Sequence, residues 1–305
     1  MRIAVMGPGA VGGYFGGVLA NQGEDVTLIA RGAHGDAIKN NGLQVDSHWG
    51  NFNVEVPVTA DPSTIGEVDL ILHCTKLYSN AEALPSLKPI VGENTSILTI
   101  QNGVTSGSII ADYFDESKVL QGATYIETSI AGPGHIHQSG STARIEFGEN
   151  DGSTTERTEA IRKLFDREGM QVEVSDSIVD TLWNKMVMVG AIGTVMAASR
   201  SSLPEILASP HGEHAIRTTM EEIVAVGQAK GIKFPTRCVE SKMEAAIAEA
   251  EEFQASLQYD LTVGKPLELD DILGAVVTMA REIDIPVPSS AALVTVLDKF
   301  KQGSN

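Results

Sequence analysis

The chain predicts an α/β protein: a doubly wound sheet in its first part and an all-helical domain in its second. Two observations carry that expectation. Strand and helix patterns alternate as far as about residue 175, which is the pattern of a mostly parallel sheet wrapped by helices. Beyond that point strand signals nearly vanish, and helical periodicity runs almost to the end. The expected domains are therefore residues 1–175 and 176–305. No internal repeat, low-complexity segment or long linker interrupts them.

The first element is the short apolar run Ile3-Ala4-Val5-Met6, suited to a strand buried on both faces. Gly7, Pro8, Gly9, Ala10, Val11 and Gly12 follow it and are the candidate cofactor-binding turn. In such a turn the first glycine makes the tight bend and the second bares the backbone to a pyrophosphate. The third lets helix and strand pack closely. The helix that starts here aims unpaired N–H groups and its positive dipole end at phosphates. Gly13, Gly16 and Gly17 are read as packing glycines. A second strand is expected at residues 25–30. A glycine pattern alone is weak, but a strand before it, a helix after it and a second strand at the right distance identify a Rossmann-type dinucleotide site.

The residue ending that second strand selects the dinucleotide. An acid there accepts hydrogen bonds from the ribose 2′-OH and repels a 2′-phosphate. Here the position is held by Arg31, whose charge and bidentate fork suit a phosphate, whereas Asp25 stands at the wrong end. The expected cofactor is NADPH.

Later elements follow in order. Strands are expected at 68–75 and 95–101, with a helix at 78–87 between them. Further strands at 119–128 and 143–147 are separated by the turn Gly132-Pro133-Gly134, and these later strands are candidates for antiparallel pairing. A helix at 153–168 and a short strand at 171–174 close the first domain. The helical domain reads as 178–198, 211–230, 239–257 and 267–283, with a last helix at 289–300 after Pro286 and Pro288.

Composition excludes several function classes. The 40 acidic residues outnumber the 22 lysines and arginines, a net charge of −18 that disfavours nucleic acid and anionic membranes as partners. The same charge slows anionic substrates, so cations are needed at the site. No apolar run reaches about 18 residues, and the N-terminus carries no signal-peptide pattern. Cys74 and Cys238 lie far apart; Cys74, in an apolar strand, reads as a buried thiol. The expected setting is the cytoplasm. His135 and His137 alternate on one side of a strand without a third ligand nearby, so no metal site is expected. No coiled-coil pattern or aromatic patch separates a monomer from a homodimer.

Ligands of open α/β sheets lie beyond the carboxyl ends of the strands. Lys76 and Asn102 follow two such ends. Lys76 is either a donor to cofactor or substrate or a solvated lysine at a helix start. Asn102, before Gly103, is either functional or an ordinary turn former. Lys185 interrupts an apolar helix whose next stretch, 186–198, carries no charge. It reads equally as an edge lysine with its stem on apolar surface or as a proton donor with a lowered pKa. Glu268, with Asp270 and Asp271, either complements a helix start, forms a solvated face or belongs to a site.

Together these motifs resemble the ketopantoate reductase family (2-dehydropantoate 2-reductases) over nearly the whole chain. The glycine turn and Leu28-Ile29-Ala30-Arg31 look like its nucleotide motifs. Thr75-Lys76-Leu77-Tyr78 and Ile100-Gln101-Asn102-Gly103 are similar to its next two. Leu182-Trp183-Asn184-Lys185 matches the helix of its catalytic lysine, and Ser256 with Leu267-Glu268-Leu269-Asp270 matches its substrate serine and catalytic-site glutamate. The resemblance implies hydride transfer from NADPH to the ketone carbon of a 2-oxo acid, giving a 2-hydroxy acid. Lys185 would stabilise and protonate the carbonyl oxygen, with Glu268 holding the lysine. Ser256 would bind the carboxylate and Asn102 would position nicotinamide and substrate. Lys76 would touch cofactor or the anionic end.

The departures are specific. The family's asparagines one and two turns after the lysine correspond to Val189 and Gly193, and a third corresponds to Phe253. An unpaired buried substrate hydroxyl costs about 1–3 kcal/mol for each lost partner. The family reaction is 2-dehydropantoate reduction, but these positions predict a larger or less polar 2-oxo acid. A non-catalytic NADP(H)-binding sensor is the alternative of another class, against which Lys185 with Glu268 argues. Gly193 has a second reading, as a site of close helix approach.

Overall fold

The computed structural model describes residues 1–303. Strand β1 (Arg2–Met6), helix α1 (Ala10–Asn21) and strand β2 (Asp25–Ile29) open the chain. They are followed by α2 (Gly32–Asn41), β3 (Leu43–Ser47), β4 (Phe52–Val54) and β5 (Val58–Thr59). Next come β6 (Val68–His73), α3 (Asn80–Leu87), β7 (Val91–Thr99) and α4 (Ser106–Ala111). The long hairpin of β8 (Val119–Gly132) and β9 (His135–Gly148) turns at Pro133-Gly134, then α5 (Glu156–Phe165) leads to β10 (Gln171–Val174).

The strands form one sheet in the order β4-β3-β9-β8-β7-β6-β1-β2-β5, with β10 beside β9. β1 runs parallel to both β2 and β6, its register pairing Val5 with Leu28 and with Leu72. The chain thus reverses direction of travel across the sheet at β1, which is where open α/β sheets hold ligands. The β8–β9 pair is antiparallel, as its turn predicted. Ile3, Val5, Leu28, Leu70 and Leu72 are essentially buried, which is why these strands read as continuous apolar runs. Sequence reading did not assign α2 through β5. Their strands are five, three and two residues long, too short to show a period.

The helical unit comprises α6 (Ile178–Ser199), α7 (Leu203–Ala208), α8 (Gly212–Ala229), α9 (Cys238–Ala248), α10 (Ser256–Thr262), α11 (Leu273–Glu282) and α12 (Pro288–Asp298). α6 is its core helix: Met186, Val187, Ile192 and Met196 pack with Met220, Ile223 and Val226 of α8. Its charge-free stretch is therefore charge-free because nearly every face is covered.

Two expectations fail here. The helix expected at 239–257 is two helices, because Glu249, Glu251 and Glu252 crowd the carboxyl end of α9, where the dipole disfavours acids. Ser256 opens α10 rather than ending a helix. The helix expected from residue 267 starts at Leu273. Leu267 and Leu269 instead bury themselves in a small cluster with Leu257 and Leu297, and the Leu267 N–H donates to the Lys301 carbonyl at 2.9 Å.

Chain contacts divide the molecule into two compact units. One is residues 1–101 with 106–178; the other is residues 102–105 with 179–305. The Asn102–Thr105 turn thus groups with the helices although it follows β7 directly.

Candidate active site

In the sheet unit, each glycine of the opening turn meets a different constraint. Gly7 has φ of +82°, and a Cβ there would lie 2.8 Å from Thr75 Cγ2. A Cβ on Gly12 would strike the Gly7 carbonyl at 2.5 Å and Cys74 Cβ at 2.8 Å. Gly9 alone has nothing within 4 Å of a Cβ, so its backbone faces open space. α1 begins beside it with no side-chain cap and no acid in its first turn. An open backbone at an uncapped helix start fits a pyrophosphate. Gly16 and Gly17 face Val5 and Leu43 closely, which accounts for them by packing.

A groove of about 400 Å³ runs from this turn past Ile29, Ala30, Arg31, His34, Pro62 and Glu82. Sequence reasoning found Arg31 but missed two of its neighbours. The Arg31 guanidinium pairs with the Glu82 carboxylate at 2.5 Å, and this pair holds the Glu82 carboxyl below its ordinary pKa. Acids at a helix start are common, and nothing in the local pattern marks Glu82. His34 bridges the Pro8 carbonyl, 2.9 Å from its Nε2, and the Gly134 N–H, which donates to Nδ1 at 3.1 Å. These partners place the ring proton on Nε2, and burial lowers the pKa of the ring. His34 thereby ties the glycine turn to the β8–β9 hairpin.

The ends of β6 and β7 are joined by a buried polar network. Gln101 Nε2 donates to the Thr75 carbonyl at 2.7 Å and to Asn80 Oδ1 at 2.8 Å, while the Ser106 hydroxyl reaches Gln101 Oε1 at 2.5 Å. His73 Nε2 lies 2.9 Å from Asn80 Oδ1, and burial depresses the His73 pKa to about 4. This network fixes the chain on either side of Lys76 and ahead of Asn102. Lys76, half-buried, precedes the single turn Leu77–Ser79. Cys74 is only half-buried at its surface, but desolvation pushes the thiol pKa far up, which disfavours the thiolate. His135 is engaged by Asp46 at 2.7 Å.

In the helical unit, Lys185 Nζ donates to Asn102 Oδ1 at 2.9 Å. Lys185 keeps some exposed surface, yet desolvation pushes its pKa down to about 8, with the Glu268 carboxylate opposing that fall. Glu268 is 4% exposed and lies in the turn ahead of α11, where its carbonyl accepts from the Ile272 N–H at 3.0 Å. It therefore neither lines a solvated face nor complements a helix start. Asp271 is half-buried and its carboxyl is raised to about 6, by burial first and then by Glu268 and Asp270. Asp270 turns away to Lys301 at 3.2 Å.

Val189 and Gly193 follow Lys185 at one and two turns of α6, so they share its face. Val189 and Phe253 are half-buried, and Phe253 packs on the core of the helical unit. A Cβ on Gly193 would meet Ala255 Cβ at 3.6 Å and Leu257 Cβ at 4.0 Å, ordinary contact distances. The close-approach reading of Gly193 fails, since the packing would admit a Cβ at ordinary contact distances. Ser256, exposed at the first residue of α10, follows Ala255.

A Rossmann-like sheet unit with an open glycine turn, followed by a helical unit carrying a desolvated lysine, defines an oxidoreductase of the nicotinamide-dinucleotide class. The sequence signature described as Ketopantoate reductase PanE/ApbA matches residues 3–152, and its C-terminal counterpart matches residues 177–302. The chain belongs to the ketopantoate reductase family and acts on the CH–OH/C=O couple. A 2-dehydropantoate 2-reductase of Pyrococcus horikoshii is 30% identical over 100% of both chains. A solved ketopantoate reductase of Ralstonia eutropha has a TM-score of 0.91 at 30% identity, covering 99% of this chain and 98% of its own. A D-mandelate dehydrogenase solved with NADH and anilino(oxo)acetate shares the fold, with a TM-score of 0.88 at 22% identity over 99% of this chain and 98% of its own.

Proposed function

We propose that this chain is an NADPH-dependent reductase that converts a 2-oxo acid to a 2-hydroxy acid, with Lys185 as the proton donor. The observation that carries it is Lys185 itself, held by Asn102 at 2.9 Å with a pKa pushed down to about 8. When bound, the nicotinamide cofactor supplies the hydride that turns the ketone carbon into an alcohol carbon. The open backbone at Gly9 and the start of α1 would hold the pyrophosphate, and Arg31 would take the ribose 2′-phosphate. As negative charge grows on the carbonyl oxygen, the Lys185 ammonium stabilises it and passes over a proton. Asn102 keeps the ammonium aimed, and Glu268 keeps it charged near neutral pH. Ser256 and Lys76 serve the anionic end of the substrate or cofactor. A reducing setting such as the cytoplasm suits the two free thiols, Cys74 and Cys238.

The preferred substrate carries a less polar side chain than 2-dehydropantoate. On the lysine's own face, Val189 and Gly193 offer no amide, and the space beside Gly193 is bounded by the apolar Cβ atoms of Ala255 and Leu257. Relatives named 2-dehydropantoate 2-reductase at about 30% identity favour a second reading, 2-dehydropantoate itself. Steady-state kcat/KM with NADPH separates the two. Branched-alkyl and aryl 2-oxo acids are expected to exceed 2-dehydropantoate, and the Gly193→Asn variant should narrow that gap. A native preference for 2-dehydropantoate selects the second reading. Lys185→Ala should lower kcat by about 10²–10⁴-fold, the usual worth of a positioned proton donor, with NADPH binding intact. Near-native turnover in that variant removes Lys185 from the chemistry.

A further inference from the structure

The groove beside the glycine turn carries two opposite charges where a dinucleotide site ordinarily carries one. Arg31 ends β2, and Glu82, from the first turn of α3, closes on its guanidinium. Both side chains are about two-thirds exposed, at 65% and 69%, so no burial forces them together. Both also line the groove that contains Gly7, Pro8 and Gly9. Their contact therefore lies on the ligand's path rather than on a remote surface.

We infer that Glu82 is a specificity-determining residue that sets the choice between NADPH and NADH by engaging Arg31 at the ribose end of the groove. The inference rests on the reading that Arg31 faces the 2′-phosphate. A 2′-phosphate arriving at Arg31 has to share the guanidinium with a carboxylate or displace it, and the two anions repel at contact distance. A ribose 2′-OH meets the opposite situation: it needs an acceptor, and a carboxylate is the group that NAD-binding sites supply at the end of the second strand. Here that acceptor reaches the same place from α3. Glu82 thus weakens the selectivity for NADPH that Arg31 confers. The pair is exposed and screened, so the bias is modest and diminishes with salt.

The test is a fluorescence titration of NADPH and NADH against the native protein, Glu82→Gln and Arg31→Ala. Glu82→Gln keeps the size of the side chain at an exposed position. It is expected to tighten NADPH and loosen NADH, moving the ratio of their Kd values about tenfold toward NADPH, the scale of one screened charge. A merely structural role at the start of α3 would move both Kd values the same way. An unchanged ratio, or a shift toward NADH, overturns the proposal. Arg31→Ala reports separately on the cofactor reading: selective loss of NADPH affinity upholds it whatever Glu82→Gln does, and equal loss of both dinucleotides refutes it.

Discussion

The ammonium of Lys185 sits under two opposing influences. Desolvation drives its pKa down to about 8, and the Glu268 carboxylate holds it from falling further. On the proposed role of Lys185 as proton donor, the lysine is charged and can donate below about pH 8, and above it the neutral amine would leave reduction without its proton source. The basic limb of a kcat–pH profile is expected near 8, and Glu268→Gln should move that limb to lower pH by removing the charge that favours protonation. A limb that stays in place in Glu268→Gln would separate the two residues. At this scale much was legible. Lys185 stood out because it is followed by a charge-free stretch of its helix, 186–198, and Asn102 and Glu268 stood out through the family resemblance. Glu82 and His34 did not, because their relevance comes from partners 51 and 26 residues away. No local periodicity encodes such a pairing.

At the level of elements, caps and breaks decide where helices start and stop. α12 begins at Pro288, and its first N–H groups are met by a side chain from α8. Glu222 accepts from the Ser289 and Ser290 N–H groups at 2.8 and 2.7 Å, and from the Ser290 hydroxyl at 2.6 Å. Glu222 is only 8% exposed, so its removal leaves those donors dry. Glu222→Ala is expected to cost about 2–3 kcal/mol in a urea unfolding titration, the scale of a lost charged hydrogen bond with its orphaned partners. A loss under about 0.5 kcal/mol, the level of an ordinary surface substitution, would show that water replaces it. The long, strongly periodic helices α6 and α8 lie within two residues of their expected ends. Expectation failed at α10 and α11, where burial of Leu257, Leu267 and Leu269 in one cluster outweighed helix periodicity.

For the whole molecule, the net charge of −18 opposes the approach of any anionic dinucleotide. Raising salt shortens the Debye length from about 30 Å at 0.01 M to about 10 Å at 0.1 M, which screens that repulsion. Stopped-flow association of NADPH is therefore expected to quicken with added salt. An on-rate that falls instead would mean that Arg31 and Lys76 dominate the encounter. On the proposed cofactor site, the acid paired with Arg31 and the acidity of the whole surface act in the same direction, against a highly charged cofactor.

Short-range chemistry was enough to read the glycine turn, the cation after β2 and the core helix with its single lysine. Each follows from neighbours within a turn or a strand: a bend that needs glycine, a strand that ends on a cation, a helix face that excludes charge. Folding had to decide the rest. It paired Arg31 with Glu82, joined the ends of β6 and β7 through Gln101, and buried Glu268 in a turn rather than on a helix. It also left ordinary contact distances, not an unusually close helix approach, beside Gly193. These outcomes depend on which distant surfaces meet, and burial and charge pairing across tens of residues leave no periodic trace in the chain.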